Sequence, residues 1–177
     1  GDVVITFSPD GNCIVADLPV LIEEMKKGRD MVIASRYYQG AHSEDDGYLT
    51  GFGNFFFTRF INLLHGSRYA DAMTIYRAYH TKLFYELDMH IEESYAPEKL
   101  FNTNAGLEPL LSVRVAKQKL NVSEIPSVEP KRIAGKRKLQ VWKWGATFLL
   151  QIIRELYYWK KPLLKEALIL EKPLMKE

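Results

Sequence analysis

The chain has 177 residues, 47% of them hydrophobic and 26% charged, a balance that supports a single globular core and excludes an intrinsically disordered chain. Its 24 Lys and Arg stand against 22 Asp and Glu, and this near-neutral total argues against nucleic acid as a partner. The single cysteine, Cys13, excludes an internal disulfide and any paired-cysteine zinc motif, which points to a reducing, cytoplasmic setting.

Residues 3–7, VVITF, make an apolar, β-rich run stopped by Pro9 and Gly11, and predict a short buried strand. The opening GDVVITF shows neither a basic n-region nor a cleavage site, so no secretion signal is expected. In Asp17–Lys27 the apolar residues 18, 21, 22 and 25 share one helical face, with Asp17 as N-cap, Pro19 in the first turn and Gly28 as the stop. Met31 to about Ser35 reads as a second strand. Strand, helix and strand in about thirty residues imply a βαβ unit with its two strands paired in parallel, and hence an α/β core.

Gln39–Leu49 reads as a polar loop whose run Glu44-Asp45-Asp46 is solvated, or serves as a lid over an active edge. Apolar residues 52, 56, 60, 63 and 64 then follow helical spacing up to Gly66 and predict a helix that covers the sheet. MTIYRAY (73–79) predicts a strand, with a short helix from Thr81; 88–104 shows no clear period and is read as irregular. Glu108–Lys119 predicts a helix ending on basic residues, favourable for its dipole, and NVSEIP (121–126) a strand.

EPKRIAGKRK (129–138) is a basic loop holding one acid. Gln140–Lys161 predicts a helix with residues 141, 144, 148, 149, 152, 153, 156 and 159 on one broad face, and the proline-bounded tail a loosely held helix. The uncharged run Trp144–Ile153 reaches only about half of a ~30 Å hydrocarbon core at ~1.5 Å per residue, so it does not span a membrane. The chain thus divides into an α/β domain at 1–139 and an amphipathic, aromatic C-terminal helix and tail at 140–177.

A carboxylate just past the C-terminal end of a parallel strand lies at the edge where open α/β sheets bind ligands. Asp10 holds that position, Gly11 permits close backbone approach, and Asn12 adds an amide oxygen. Such oxygen donors suit a hard divalent cation completed by substrate phosphates. On these residues alone, Pro-Asp-Gly-Asn as a plain β-turn is the simpler reading. Histidines 42, 65, 80 and 90 lack metal-pair spacing and read as structural or exposed, and nothing beside Cys13 would activate it.

Four blocks occur in a telling order: FSPDGN, DMVIASRY, DAMTIYR and VSEIPSVEPKRIAGKRKL. Together they resemble family-2 glycosyltransferases of the GT-A fold, including the dolichyl-phosphate mannosyltransferase-like branch, which has D-x-D, Ser-Arg-Tyr, D-x-x-S-G-[FY]-R and E-[VI]-P…R-x-x-G-x-S-K-[LM] there. The resemblance implies a Rossmann-like mixed sheet flanked by helices and transfer of a sugar from a nucleotide-diphosphate donor to a glycan or lipid-linked acceptor. It also implies Mg²⁺ or Mn²⁺ on the diphosphate, held through Asp10 and Asn12, with Arg36, Arg132 and Lys138 as anion-binding partners.

This sequence departs from the pattern at Ser8, Ile75 and Arg137, where the family has an aspartate, a glycine and a serine. The family's first strands, which hold the base, are expected ahead of residue 1, so the expected activity is that of the complete domain and this stretch alone is expected to be weak or inactive. Glu108 aligns loosely with an acid at the start of a late helix and is a candidate base, although a first-turn acid is also stabilised simply by the helix dipole. Asp71 and Arg77 flank one predicted strand and either face the acceptor or pair with each other.

The aromatic residues Trp142, Trp144, Phe148, Tyr157, Tyr158 and Trp159 pack on the sheet or on a second subunit, or lie in a membrane interface beside the basic stretch Lys131–Lys143. That last use would place the protein peripherally at the inner face of the membrane. The rival to an enzyme is a non-catalytic α/β module acting through this helix; nucleic-acid binding through KRIAGKRK is weaker still.

Overall fold

The computed structural model describes residues 1–133 and 140–164. Among these, the strands β1 (Val3–Thr6), β2 (Met31–Ser35), β3 (Arg77–His80) and β4 (Val122–Pro126) form one open sheet in the order β1-β3-β2-β4. β3 is antiparallel to both β1 and β2, while β2 and β4 are parallel. The protein is therefore mixed α/β. The expected parallel pairing of the first two strands is corrected: they run the same way, but β3 lies between them. Arg77, Ala78 and Tyr79 are buried, as a central strand requires, whereas β1 has only one neighbour among the described residues and exposes Val3.

Side chains alternate across β2 and feed two cores. Val32 and Ala34 pack with Ala78 and Ile125 against Leu21 and Met25 of α1 (Asp17–Lys26). Met31 and Ile33 face the larger core, with Ile61 from α2 (Tyr48–His65), Leu110 and Leu111 from α5 (Glu108–Lys117) and Ile152 from α6 (Val141–Arg154). Burial on both faces explains why β2 reads as an unbroken apolar run.

Several local expectations change. Asp17 is the first residue of α1, not its cap; its carboxylate accepts the Ser127 hydroxyl at 2.6 Å and ties the helix to the chain leaving β4. α2 buries Asn54, Thr58 and Ile61, leaving Phe52 and Leu63 of the expected stripe 65% and 80% exposed. A polar anchor turns the helix: the Thr58 hydroxyl accepts the buried Ala72 N–H at 3.1 Å. Its C-cap, Gly66, has the left-handed φ of 71° that ends helices without strain.

α3 (Thr81–Glu86) follows β3 as expected, and the stretch read as irregular contains a 3-10 turn (Glu92–Tyr95) and α4 (Ala96–Phe101). α6 ends at Arg154 rather than near 161. Beyond it the chain folds back, because the Lys117 ammonium takes the carbonyls of Glu155 and Trp159, and the Trp159 indole N–H donates to Asp88 at 2.9 Å. Among the described residues no helix is long and apolar enough to cross a membrane. The predicted tail helix falls largely outside the described residues.

Candidate functional site

β1, β2 and β4 end on one edge of the sheet, where antiparallel β3 begins. The turns leaving that edge border a cleft of about 450 Å³. Ser8, Asp10, Asn12, Arg36, Asp46 and Arg132 form its polar end, and Glu108 also lines it. Phe57 from α2 and Trp144 and Phe148 from α6 give it an apolar wall, with Phe57 and Phe148 packed edge to face at 5.4 Å.

Asp10 is oriented by the residue that stands where a second carboxylate was expected: the Ser8 hydroxyl donates to Asp10 Oδ1 at 2.5 Å. Its other oxygen lies 3.5 Å from Arg132 Nη1, and its backbone carbonyl accepts the Ile133 N–H at 3.0 Å. Gly11 is favoured by its backbone conformation, and any side chain there would have to displace that of the exposed Ile133. The Gly11 φ is +85°, and a Cβ there would stand 2.5 Å from Ile133 Cδ1. The arm at 130–133 is thus pressed onto the Asp10 turn.

Asn12 is buried and donates its amide nitrogen to Glu129 Oε1 at 3.0 Å. Glu129 Oε2 receives Arg36 Nη1 at 3.3 Å and the Ser43 hydroxyl. Arg36 is clamped elsewhere by Asp71, through Nε to Oδ2 at 2.7 Å and Nη2 to Oδ1 at 3.1 Å, and its Nη1 also reaches Asp46 at 3.3 Å. Burial pulls the Arg36 pKa down, but Asp71, Glu129 and Asp46 outweigh it and hold the guanidinium well above its ordinary value. Arg36 therefore borders the cleft as a permanently charged, already paired cation.

Asp71 is fully buried, does not line the cleft and is the counter-ion of Arg36. Burial pushes its pKa up; Arg36 and the Met73 N–H, 3.2 Å from Oδ1, bring it below the ordinary carboxylate value, and the Thr74 N–H donates to the same oxygen at 3.2 Å. The expected Asp71–Arg77 pair is replaced by this arrangement. Arg77 is buried on the carbonyls of Thr74 (3.0 Å) and Ala72 (3.2 Å) and on the Ser112 hydroxyl (2.9 Å), so it is a packing element of β3.

Arg132 donates from Nη2 to Asp45 at 2.7 Å. Asp45 and Asp46 are consequently ion-paired with the site's two arginines, which corrects the expectation of a solvated acidic run; only Glu44 of the three stays half exposed. Glu108 opens α5 and folds back over Gly106, where a Cβ would lie 2.6 Å from Glu108 Oε2. Lys138 and Arg137 lie outside the described residues.

Sequence reasoning missed Glu129, Ser43 and Asn54. Glu129 had one legible signal, as the lone acid in a basic loop. Asn54 interrupts an apolar helical run, and its amide nitrogen is buried in the cleft wall with no hydrogen-bond partner among the described residues. Burial raises the Cys13 thiol pKa, which favours the thiol over the nucleophilic thiolate.

Among the described residues no group of three or more His, Cys, Asp or Glu side chains is placed to hold a metal ion. Asp10 and Asn12 still fit a cation of the Mg²⁺ type, which commonly takes one or two protein ligands and fills its remaining positions from phosphates and water. Among the described residues the Asn12 oxygen accepts a hydrogen bond only from the Cys13 thiol, at 3.8 Å, a weak contact. No protein-family model and no curated protein matches the chain.

Proposed function

We propose that the protein is a glycosyltransferase of the family-2, GT-A kind, which moves a sugar from a nucleotide-diphosphate donor to a glycan or lipid-linked acceptor. One observation carries the reading: Asp10, Asn12, Arg36, Glu108 and Arg132, from separate stretches of the chain, border a single cleft at the strand-end edge. The mixed sheet with helices on both faces accords with it. In this reading the transfer takes place on the cytoplasmic side.

In this reading Asp10 and Asn12 hold Mg²⁺ or Mn²⁺, which supplies positive charge against the diphosphate as it departs. Arg132 adds charge at the same end, and Arg36 fixes the floor. Glu108 takes the proton of a hydroxyl acceptor; a phosphate acceptor is already an anion and needs no base. The wall of Phe57, Trp144 and Phe148 excludes water from the transfer.

The probe for the donor site is Mn²⁺ with inorganic pyrophosphate, followed by calorimetry. Asp10→Ala should weaken this binding by on the order of 10-fold or more while leaving the melting temperature nearly unchanged. Unaltered affinity in Asp10→Ala would falsify the assignment. At the other end of the cleft, a Cβ on Gly53 would meet no atom within 4 Å. Gly53→Leu should therefore gain up to ~1 kcal/mol of helix stability and yet obstruct sugar transfer by filling the cleft. Full transfer in that variant would place the acceptor elsewhere.

A second reading has its own observation. Tyr48 is fully exposed, as are large parts of Phe52, Phe55 and Trp142, an unusual aromatic display for a free surface. As a non-catalytic module the protein would use these residues to cover a partner, a second copy or a membrane surface. Liposome or partner binding lost in Phe52→Ser/Phe55→Ser/Trp142→Ser, without any Mn²⁺–pyrophosphate binding, would favour it.

A further inference from the structure

We infer that Glu129 is a positioning residue: it turns the Asn12 carboxamide so that the oxygen, not the nitrogen, is left for a cation. The inference rests on the proposed donor site. A carboxylate only accepts hydrogen bonds, so an amide facing it must offer its NH₂ group. Asn12 does so, with Nδ2 3.0 Å from Glu129 Oε1. Its Oδ1 is thereby directed away from Glu129, in a residue that lines the cleft.

Glu129 is itself held from several sides. Its N–H donates to the His42 carbonyl at 3.0 Å, and its carbonyl accepts the Glu44 N–H at 2.8 Å, which makes a parallel bridge about Ser43. Oε2 is saturated by two donors, Arg36 Nη1 and the Ser43 hydroxyl, so only Oε1 remains for Asn12. The two oxygens have separate duties, and the side chain, 14% exposed, has little water to share them with.

The consequence separates Glu from Gln at this position. In Glu129→Gln the amide oxygen must stay on Arg36, because a guanidinium can only donate, and the Ser43 hydroxyl can go on donating to the same oxygen. The new NH₂ then faces Asn12, whose carboxamide has to flip to accept it, and this turns the Asn12 NH₂ group toward the cation. A residue with a merely structural role would not distinguish metal-bound from metal-free ligand.

The test uses the intact protein and two probes, pyrophosphate with Mn²⁺ and pyrophosphate alone. Glu129→Gln should lose about 10–100-fold in the Mn²⁺-dependent affinity, the usual cost of losing a partner behind a metal ligand, and hold or gain affinity for pyrophosphate alone. Asn12→Asp/Glu129→Gln re-forms the pair with its roles exchanged and should restore Mn²⁺-dependent binding to within about threefold. Asn12→Asp alone sets two carboxylates against each other and should fall short of the Mn²⁺-dependent affinity of the double variant.

Equal losses with and without Mn²⁺ in Glu129→Gln overturn the inference and leave the donor site standing. So does Asn12→Asp alone matching the double variant, since the new carboxylate would then explain the gain. Absence of Mn²⁺-dependent binding in the wild type overturns the donor site and the inference together. If Glu129→Gln fails to fold, a double variant that folds and binds supports the pairing, and failure of both overturns it.

Discussion

Arg114→Met should lower the unfolding free energy by about 3 kcal/mol, because it removes the main counter-charge of the buried Glu155 carboxylate and leaves it only the Gln151 amide at 3.1 Å and Arg154 at 3.9 Å among the described residues. Both side chains are wholly buried and form a bidentate pair, Nε to Oε2 at 3.0 Å and Nη2 to Oε1 at 3.1 Å. Arg114 Nη1 also satisfies the carbonyls of Leu87 (2.7 Å) and Asp88 (3.0 Å) and the Ser94 hydroxyl (3.0 Å). One guanidinium thus joins α5, the 87–94 turn and the end of α6. Since α6 supplies Trp144 and Phe148 to the cleft, pyrophosphate binding should fall with stability when measured near the variant's melting point. Arg114→Met/Glu155→Leu removes both charges and should recover most of the loss in urea denaturation. A single variant within about 1 kcal/mol of wild type would show that water reaches the pair.

Asp71→Asn is the second large effect. It keeps the size of the side chain but removes the charge that faces Arg36, and should cost about 3 kcal/mol at neutral pH, a value tempered by the remaining partners Asp46 and Glu129. The pH dependence has a definite sign. The folded-state pKa of Asp71 lies below its unfolded value of roughly 3.9, so the stabilisation is fully present above that value and is lost as pH falls through the folded pKa. The stability gap between wild type and Asp71→Asn should therefore be constant from about pH 5.5 to 7 and narrow below pH 4. Denaturant midpoints measured from pH 3 to 7 give the comparison. A gap that stays constant to pH 3 would mean that Asp71 is not the group whose ionisation supports the fold.

Elements set by short-range pattern were legible in the sequence. β2 declares itself as an apolar run between a glycine stop and a polar loop, and the interval from Asp17 to Gly28 contains a helix by its spacing alone. Neighbour relations were not legible. Residues 3–6 bind residues 77–80, and nothing local to either segment says that β3 enters between β1 and β2.

The same division holds at the site. Asp10, Asn12, Arg36, Glu108 and Arg132 were all singled out by residue type and order, and the fold brings them to one cleft. Their partners were hidden, because the Asn12–Glu129 bond joins residues 117 positions apart and the Arg36–Asp71 clamp residues 35 apart. Periodicity failed on α2 for another reason. An apolar stripe names the buried face only when no polar group has a prior claim on the core, and Thr58 has one.

The placement of β3 also sets the order in which the molecule can assemble during synthesis. Until residues 77–80 have left the ribosome, β1 has no partner at all, and β2 lacks both of its neighbours, since β4 comes later still. The nascent chain up to that point holds α1, α2 and two unpaired strands, an exposed state with open edges. The Asp10 carbonyl takes the Ile133 N–H, a contact possible only once residue 133 has emerged, so the Asp10 end of the cleft is completed after β4.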